Sequence, residues 1–390
     1  MKNFHVCVVT ETYPPEINGA ARSLKRAVDH LSGHGHRVSL VRPRQPVDSD
    51  LSPESSSLLL TAGMPIPMYP DLRFGLIRSR RLIQWWKRNR PDVVHIATEG
   101  PLGLGALHAA RTLGIPCTSD FRTNFHLYSR HYRAGLLLPL LLAYLRWFHN
   151  RCALTLVPTS ALRAELSGAG FRNLCVVGRG VDTASFSPAH RSSVLRRQWG
   201  ARDGDLVVLY VGRLAREKNV GLVLRTFDAV RKQHPDARLV FVGDGPLRSK
   251  VQRQAPHAVL TGWQRDHALA QCYASADLFL FPSMTETFGN VVVEALASGL
   301  PTVAFRHGGA GEHMRDAFNG FAVPFGDEAA FIRAACALAS DASLRSSIAT
   351  QARATAEALS WERVLEGFER ALEAAVLANE VGHAHLARAA

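Results

Sequence analysis

The segment from Pro282 to Pro301, PSMTETFGNVVVEALASGLP, sets two carboxylates eight residues apart on either side of a glycine-asparagine step. It reads as a strand end, a loop, a helix stopped by Gly299 and the start of another strand. Glu286 falls in the loop and Glu294 in the helix. Gly289 and Asn290 stand at the helix start, where unpaired amides point outward and carry the positive end of the helix dipole. Such amides bind phosphate, and carboxylates around them can accept hydrogen bonds from sugar hydroxyls. Two glutamates on a solvated helix face are the plain alternative, and their placement about a helix start argues against it.

A second candidate lies in YVGRLAREKN, Tyr210 to Asn219, where Arg213 and Lys218 occupy the loop after an apolar run. Two cations at a sheet's C-terminal edge can neutralise a diphosphate leaving group; a surface charge cluster is the competing reading. Near the N-terminus, TETYPPEINGA brings Gly19 just ahead of a helix, a turn in which backbone amides can approach phosphate. That loop lacks GxGxxG, so the fingerprint of a nicotinamide or flavin dinucleotide is missing where it should sit. Two runs of DxD form, Asp48-Ser49-Asp50 and Asp203-Gly204-Asp205, fall in linker-like segments, and neither a metal nor any other cofactor is expected. The six cysteines stand singly with no CxxC pair, which argues against a zinc site or a disulfide framework built on them.

These residues need scaffolds. Short β-branched runs alternate with helix-period segments: His5–Val9, Ser23–Leu31, Arg37–Val41, Arg78–Asn89, Val93–Ile96, Leu102–Leu113, Pro116–Ser119, Leu136–Asn150, Ala153–Pro158 and Leu174–Val177. That βαβ alternation implies a parallel sheet. After a poorly patterned stretch, Val181–Gly204, it restarts with strands at Leu206–Val211, Arg238–Val242, Ala258–Thr261, Leu278–Pro282 and Pro301–Ala304. Helices are expected between and after them at Val220–Gln233, Asp266–Ala274, Val291–Ser298 and Glu328–Ala339. The fold class is therefore α/β, with two Rossmann-like doubly wound domains whose strand ends would face a cleft. A last amphipathic helix, Glu362–Asn379, must pack on something, and the ending VGHAHLARAA is expected to be loose.

Taken together, the Asn18-Gly19 loop, VGRLAREKN, VGDGP at Val242–Pro246, the Glu286 to Glu294 segment and PTVAFRHGG at Pro301–Gly309 resemble family 4 of the retaining glycosyltransferases, whose fold is named GT-B. The match runs through nearly the whole chain. TSDFRTNFHLYSRHY (Thr118–Tyr132) and FHNRCALTLVPT (Phe148–Thr159) look most like GDP-mannose-dependent α-mannosyltransferases and related glycolipid synthases. The resemblance implies an acceptor-side domain over residues 1–188, a nucleotide-sugar domain over 189–361, and a helix, 362–390, crossing back to the first. It implies that Gly19 approaches the donor phosphates, that Arg213 and Lys218 bind the diphosphate, and that Glu286 holds the sugar hydroxyls. Gly289, Asn290 and Val291 would offer amides, Glu294 would bind the ribose, and Asp244 would shape the nucleotide pocket, with Gly212 and Phe288 beside them. Where many members carry a histidine after the phenylalanine of an FHT-like motif, this chain has Phe121-Arg122-Thr123; arginine cannot act as a base, and His126 is the nearest substitute.

The net charge of +13 is uneven, with 23 Lys and Arg against 12 Asp and Glu in residues 1–190 and 23 against 21 in the remainder. A basic half attracts anions such as acidic lipid headgroups. Arg80-Arg81 with Trp85-Trp86-Lys87-Arg88, and the apolar run Leu136–Leu145 between Arg133 and Arg146, could dock on an anionic membrane; a buried helix with a solvated basic face is the other reading. No nucleic-acid motif accompanies the charge, so no nucleic-acid partner is expected. No signal peptide and no span of about 18 apolar residues is seen, so the expected place is the cytoplasm, at most the inner face of the plasma membrane. The partners are then a nucleotide-sugar donor and a glycan or lipid acceptor. A UDP-sugar donor and a sugar-nucleotide epimerase of the same fold are the alternatives, the latter opposed by the form of the Glu286 to Glu294 segment.

Overall fold

The computed structural model describes residues 3–14, 16, 19–48, 51–66, 69–121 and 137–389. The chain forms two compact units, Met1–Val177 together with Leu365–Ala390, and Gly178–Val364. The segment after Val177 packs with the second unit: Val181 joins that unit's core, and Arg191 donates to the carbonyls of Ala274 and Ala276 and pairs with Asp277.

In the first unit, strands β1 (His5–Val9), β2 (Arg37–Pro43), β3 (Leu58–Ile66), β4 (Tyr69–Leu76), β5 (Val93–Ile96), β6 (Cys117–Asp120), β7 (Leu154–Val157) and β8 (Leu174–Val176) make one sheet in the order β4-β3-β2-β1-β5-β6-β7-β8. All neighbours are parallel except β3 and β4. HVCVV of β1 is buried throughout, as a central parallel strand covered on both faces requires. The sequence pattern does not predict the β3-β4 pair: its prolines argue against a strand, but Pro70 lies on the edge strand β4, and Pro65 falls beyond the β2-β3 pairing, where the register slips at Pro65/Ile66.

Helix α1 (Gly19–Gly33) buries Ala21, Leu24, Ala27 and Leu31 at helical spacing. Helix α2 (Ser79–Arg88) buries Leu82, Trp85 and Trp86, which corrects the membrane-docking reading of that segment. Both indoles belong to the core, with Trp85 Nε1 donating to Ser55 O at 2.9 Å, while exposed Arg81 and Arg88 pair with Glu54. Helix α3 (Pro101–Thr112) follows β5. The C-terminal helix, Trp361–Ala389, continues through the ending expected to be loose. It buries Leu365, Phe368, Leu372 and Ala375, and among them the carboxylate of Glu369. Burial alone would raise the pKa of Glu369, but hydrogen bonds from His36, His34 and His30 outweigh it and hold the group below its usual value.

His149, at the end of the helix Leu137–His149, is fully buried; its Nδ1 lies 2.9 Å from Ser119 Oγ, and its Nε2 has no partner among the described residues. Burial lowers its pKa to about 4. The folded chain keeps the ring neutral while the unfolded chain protonates it near pH 6.5, so this group's contribution is fully present above that pH and is lost as pH falls toward 4. Keeping the ring neutral down to about pH 4 corresponds to about 3 kcal/mol. Urea titrations between about pH 7 and 4 are expected to show a shallower acid loss in His149→Gln than in wild type; equal slopes would exclude the assignment.

The second unit is a six-stranded parallel sheet in the order β11-β10-β9-β12-β13-β14, built from β9 (Val207–Val211), β10 (Arg238–Val242), β11 (Val259–Leu260), β12 (Leu278–Phe281), β13 (Thr302–Phe305) and β14 (Phe321–Val323). Strands β9 and β12 lie at the centre and are wholly buried. The helices Val220–Gln233, Asp266–Ser275, Asn290–Ala297 and Glu328–Ser340 fall within a residue or two of their expected spans.

Candidate functional site

The order of the second sheet reverses between β9 and β12, and a crevice opens beyond the strand ends at such a switch point. Its walls are the loop after β9, carrying Gly212, Arg213 and Lys218, and the loop after β12, carrying Ser283, Glu286, Phe288 and Gly289. Met284 N donates to Glu217 O at 2.9 Å and ties the loops by their backbones. An ion pair between Lys218 Nζ and Glu286 Oε1 ties them by side chains, both half-buried. Ser283 Oγ also donates to Oε1, at 2.9 Å, and His307 Nε2 donates to the Ser283 carbonyl at 2.8 Å. Among the described residues both contacts on Glu286 fall on one oxygen, which leaves Oε2 able to accept a hydroxyl.

Gly289 is the N-cap of the helix Asn290–Ala297, at φ 84°, a left-handed conformation that glycine adopts without steric cost. As a glycine, this N-cap supplies no side-chain capping hydrogen bond. Val292 N is taken by Gly289 O at 3.0 Å, and the amides of Asn290 and Val291 form the open helix start. Phe288 is buried with its ring against His313, so its contribution is to shape the loop: its carbonyl accepts from Gly309 N. One turn into the helix, Glu294 Oε2 accepts from Tyr273 OH at 2.9 Å. Burial and the adjacent Glu294 push the Tyr273 hydroxyl well above its ordinary pKa, so it remains a donor.

Tyr210 OH donates to the Arg213 carbonyl at 3.0 Å and pins the bend after β9. Burial, with Glu286 and Glu217 nearby, raises that hydroxyl's pKa far above normal. The Arg213 side chain has no ion pair among the described residues. The Asp244 side chain acts within its own turn, where Gly245 N donates to Oδ1 at 2.7 Å and Arg248 lies 3.5 Å away, while its carbonyl accepts from Leu214 N at 2.9 Å and ties the turn to the loop after β9.

Gly212, Arg213, Lys218, Asp244, Glu286, Phe288, Gly289, Asn290, Val291 and Glu294 therefore lie together on loops and a helix start along one edge of the second sheet. Gly19 belongs to the first unit as the exposed first residue of α1, where Ser23 Oγ donates to its carbonyl at 2.8 Å. Arg122 and His126 lie outside the described residues. Sequence reasoning misses Ser283, Tyr210, Tyr273 and His307. The signal for the tyrosines is a hydroxyl within an apolar run, since a buried hydroxyl needs a partner. Of the acidic runs, Asp48 is buried and gripped by both guanidinium nitrogens of Arg42 at 2.6 and 2.7 Å and by Gln45 N, which lowers its pKa. Asp205 Oδ2 accepts from Arg202 N at 2.8 Å to close a turn.

The edge offers two cations and a helix start for a diphosphate, with two oriented carboxylates for hydroxyl groups. Comparison with known proteins shows the family of the chain. Residues 17–185 match the family model described as Glycosyltransferase Family 4, and residues 192–355 that described as Glycosyl transferases group 1. The GDP-mannose-dependent alpha-mannosyltransferase of Mycolicibacterium smegmatis is 38% identical over 78% of this chain and 80% of its own. The alpha-monoglucosyldiacylglycerol synthase of Streptococcus pneumoniae is 29% identical over 76% and 69%. The crystal structure of Anabaena Alr3699/HepE in complex with UDP and glucose superposes with a TM-score of 0.72 at 20% identity, over 95% of this chain and all of that one, a likeness of fold.

Proposed function

We propose that this chain, which belongs to family 4 of the glycosyltransferases, moves a mannosyl group from GDP-mannose to a hydroxyl on a lipid or lipid-linked glycan, with retention at the anomeric carbon. The observation that carries the reading is the Lys218-Glu286 pair set at the switch point beside the open helix start at Asn290. A lysine has three donor hydrogens and can keep Glu286 while reaching a phosphate oxygen. In this reading Lys218, Arg213 and the amides of Asn290 and Val291 stabilise the charge that grows on the departing diphosphate. Each well-placed donor of this kind contributes on the order of 3 kcal/mol. Glu286 Oε2 holds the sugar hydroxyls and Glu294, oriented by Tyr273, the ribose. The acceptor attacks the face the leaving group quits, and its proton passes to a donor phosphate oxygen, so no side-chain base is required. Among the donors, mannose and guanosine are favoured by the M. smegmatis relative. This reading requires no divalent metal, and the aspartates of the two DxD-form runs, Asp48 and Asp205, are engaged in structural hydrogen bonds.

The lipid acceptor is supported by the helix Leu137–His149. Its exposed face carries Leu140, 67% exposed, and Trp147, 42% exposed, with the Arg151 guanidinium 4.3 Å from the indole centroid. An apolar strip edged by cations suits an anionic bilayer surface, and the pneumococcal relative is named for a diacylglycerol product. No described helix is long and apolar enough to cross a membrane.

The test is a panel of GDP-mannose, UDP-glucose, UDP-N-acetylglucosamine and UDP-glucuronate, without divalent metal, against diacylglycerol-containing anionic vesicles. GDP-mannose alone is expected to raise the melting temperature and to yield an α-linked product extracted with the lipid. A UDP-sugar acting instead would replace the mannosyl reading. Free altered sugar formed without vesicles would point to an epimerase.

A further inference from the structure

Helix α1 ends in a reversal that gathers three histidines. His34 N bonds to His30 O at 2.9 Å, Gly35 N to Ser32 O at 3.1 Å and His36 N to Leu31 O at 3.0 Å, the crossed pattern of a Schellman turn. His30 and His34 are one helical turn apart on the same face, and the reversal folds His36 back beside them. All three meet the carboxylate of Glu369 on the C-terminal helix: His36 Nε2 at 2.9 Å from Oε1, His30 Nε2 at 3.0 Å and His34 Nδ1 at 2.8 Å from Oε2.

The tautomer of His36 follows from its other nitrogen. Phe4 N donates to His36 Nδ1 at 3.3 Å, so Nδ1 is an acceptor and the ring proton sits on Nε2, donated to Glu369 Oε1. One carboxylate oxygen is thereby held by a buried imidazole, and the other faces His30 and His34. We propose that His30 Nε2, His34 Nδ1 and Glu369 Oε2 form a zinc-type divalent metal site, oriented by His36, that clasps the C-terminal helix to α1.

The three ligand atoms all lie within 4.8 Å of one another. Tetrahedral zinc with bonds of about 2.0 to 2.1 Å sets its ligands about 3.3 Å apart, so nitrogen-oxygen separations of 2.8 and 3.0 Å must open by only a few tenths of an ångström. Two imidazoles and one carboxylate are ordinary zinc donors, and an imidazole that fixes the ligating carboxylate is the usual supporting partner. His34 is 45% exposed while Glu369 and His36 are buried, which gives the ion an entry path and a fourth position open to water. The site lies wholly in the first unit, whereas the Lys218-Glu286 pair belongs to the second.

The experiment uses tag-free full-length protein, stripped with chelator and dialysed, then titrated with zinc chloride and separately with cobalt chloride. One equivalent is expected to bind, with cobalt giving the visible bands of a tetrahedral nitrogen-oxygen site and zinc raising the melting temperature. His34→Ala, at a half-exposed position that tolerates truncation, is expected to weaken binding at least tenfold and abolish the zinc-dependent shift, as is Glu369→Gln. Binding well below one equivalent, undiminished binding in His34→Ala, or the charge-transfer bands of a cysteine-ligated cobalt would overturn the assignment. In each of those cases the four side chains are a hydrogen-bonded cluster only.

Discussion

Replacing Lys218 by alanine is expected to lower kcat/KM for sugar transfer by about a hundred- to a thousandfold, the range for removing one preorganised donor from a developing anion. The loss has two parts. The ammonium no longer meets the diphosphate, and Glu286, half-buried and left with Ser283 as its remaining hydrogen-bond donor, turns a naked carboxylate toward an anionic ligand. Lys218→Arg should restore little, because a planar fork does not replace a compact three-donor ammonium. The second part predicts non-additivity: Lys218→Ala combined with Glu286→Gln should lose less than the product of the single losses, because the two groups are in contact. Steady-state kinetics with stabilisation by GDP as a parallel readout decide the matter. A Lys218→Ala rate within about threefold of wild type would remove this residue from the donor site.

The largest expected loss of stability comes from a residue with no side chain. A Cβ on Gly243 would stand 2.1 Å from the Gly212 carbonyl oxygen and 2.9 Å from its carbon, at φ +128°. The turn after β10 is laced to the loop that bears Arg213 by Gly212 N to Val242 O, Leu214 N to Asp244 O and Leu247 N to Leu214 O, each 2.9 Å. Gly243→Ala must part these two segments or distort both, with a loss on the order of 3 kcal/mol or more once backbone strain and broken hydrogen bonds are combined. Gly262→Ala is the internal control. It also has positive φ, but nothing lies within 4 Å of its Cβ, so about 1 kcal/mol is expected. Urea unfolding of the two variants should separate them clearly, and Gly243→Ala should also lose stabilisation by GDP. Equal midpoints would mean the close approach carries no energy.

Much of this architecture is legible because its signals are local and repeated. HVCVV and LFLF are short and unbroken by charge, which suits a parallel strand covered on both faces, and the span Val220–Gln233 follows from its apolar period to the residue. The antiparallel pair Leu58–Ile66 and Tyr69–Leu76 stays hidden because its prolines are admissible only on an edge strand or past the end of a neighbour's pairing, and both are properties of the assembled sheet. Trp85 and Trp86 among arginines look like a membrane anchor until helix geometry turns both indoles inward and the cations out. The candidate site divides the same way. Glu286, Lys218 and the helix-start residues stand in contiguous motifs, whereas Ser283, Tyr210 and Tyr273 act through partners whose identity depends on tertiary packing.

The first unit is assembled from both ends of the chain, with Leu365–Ala390 completing what Met1–Val177 begins. On the ribosome its opening sheet emerges first and waits for the entire second unit before the closing helix is made, on the order of ten to forty seconds at ordinary elongation rates. The second unit is continuous and can finish in the interval. Completion order therefore departs from the order of synthesis, and the surface that receives Phe368 and Leu372 is covered only after the whole second unit has been made.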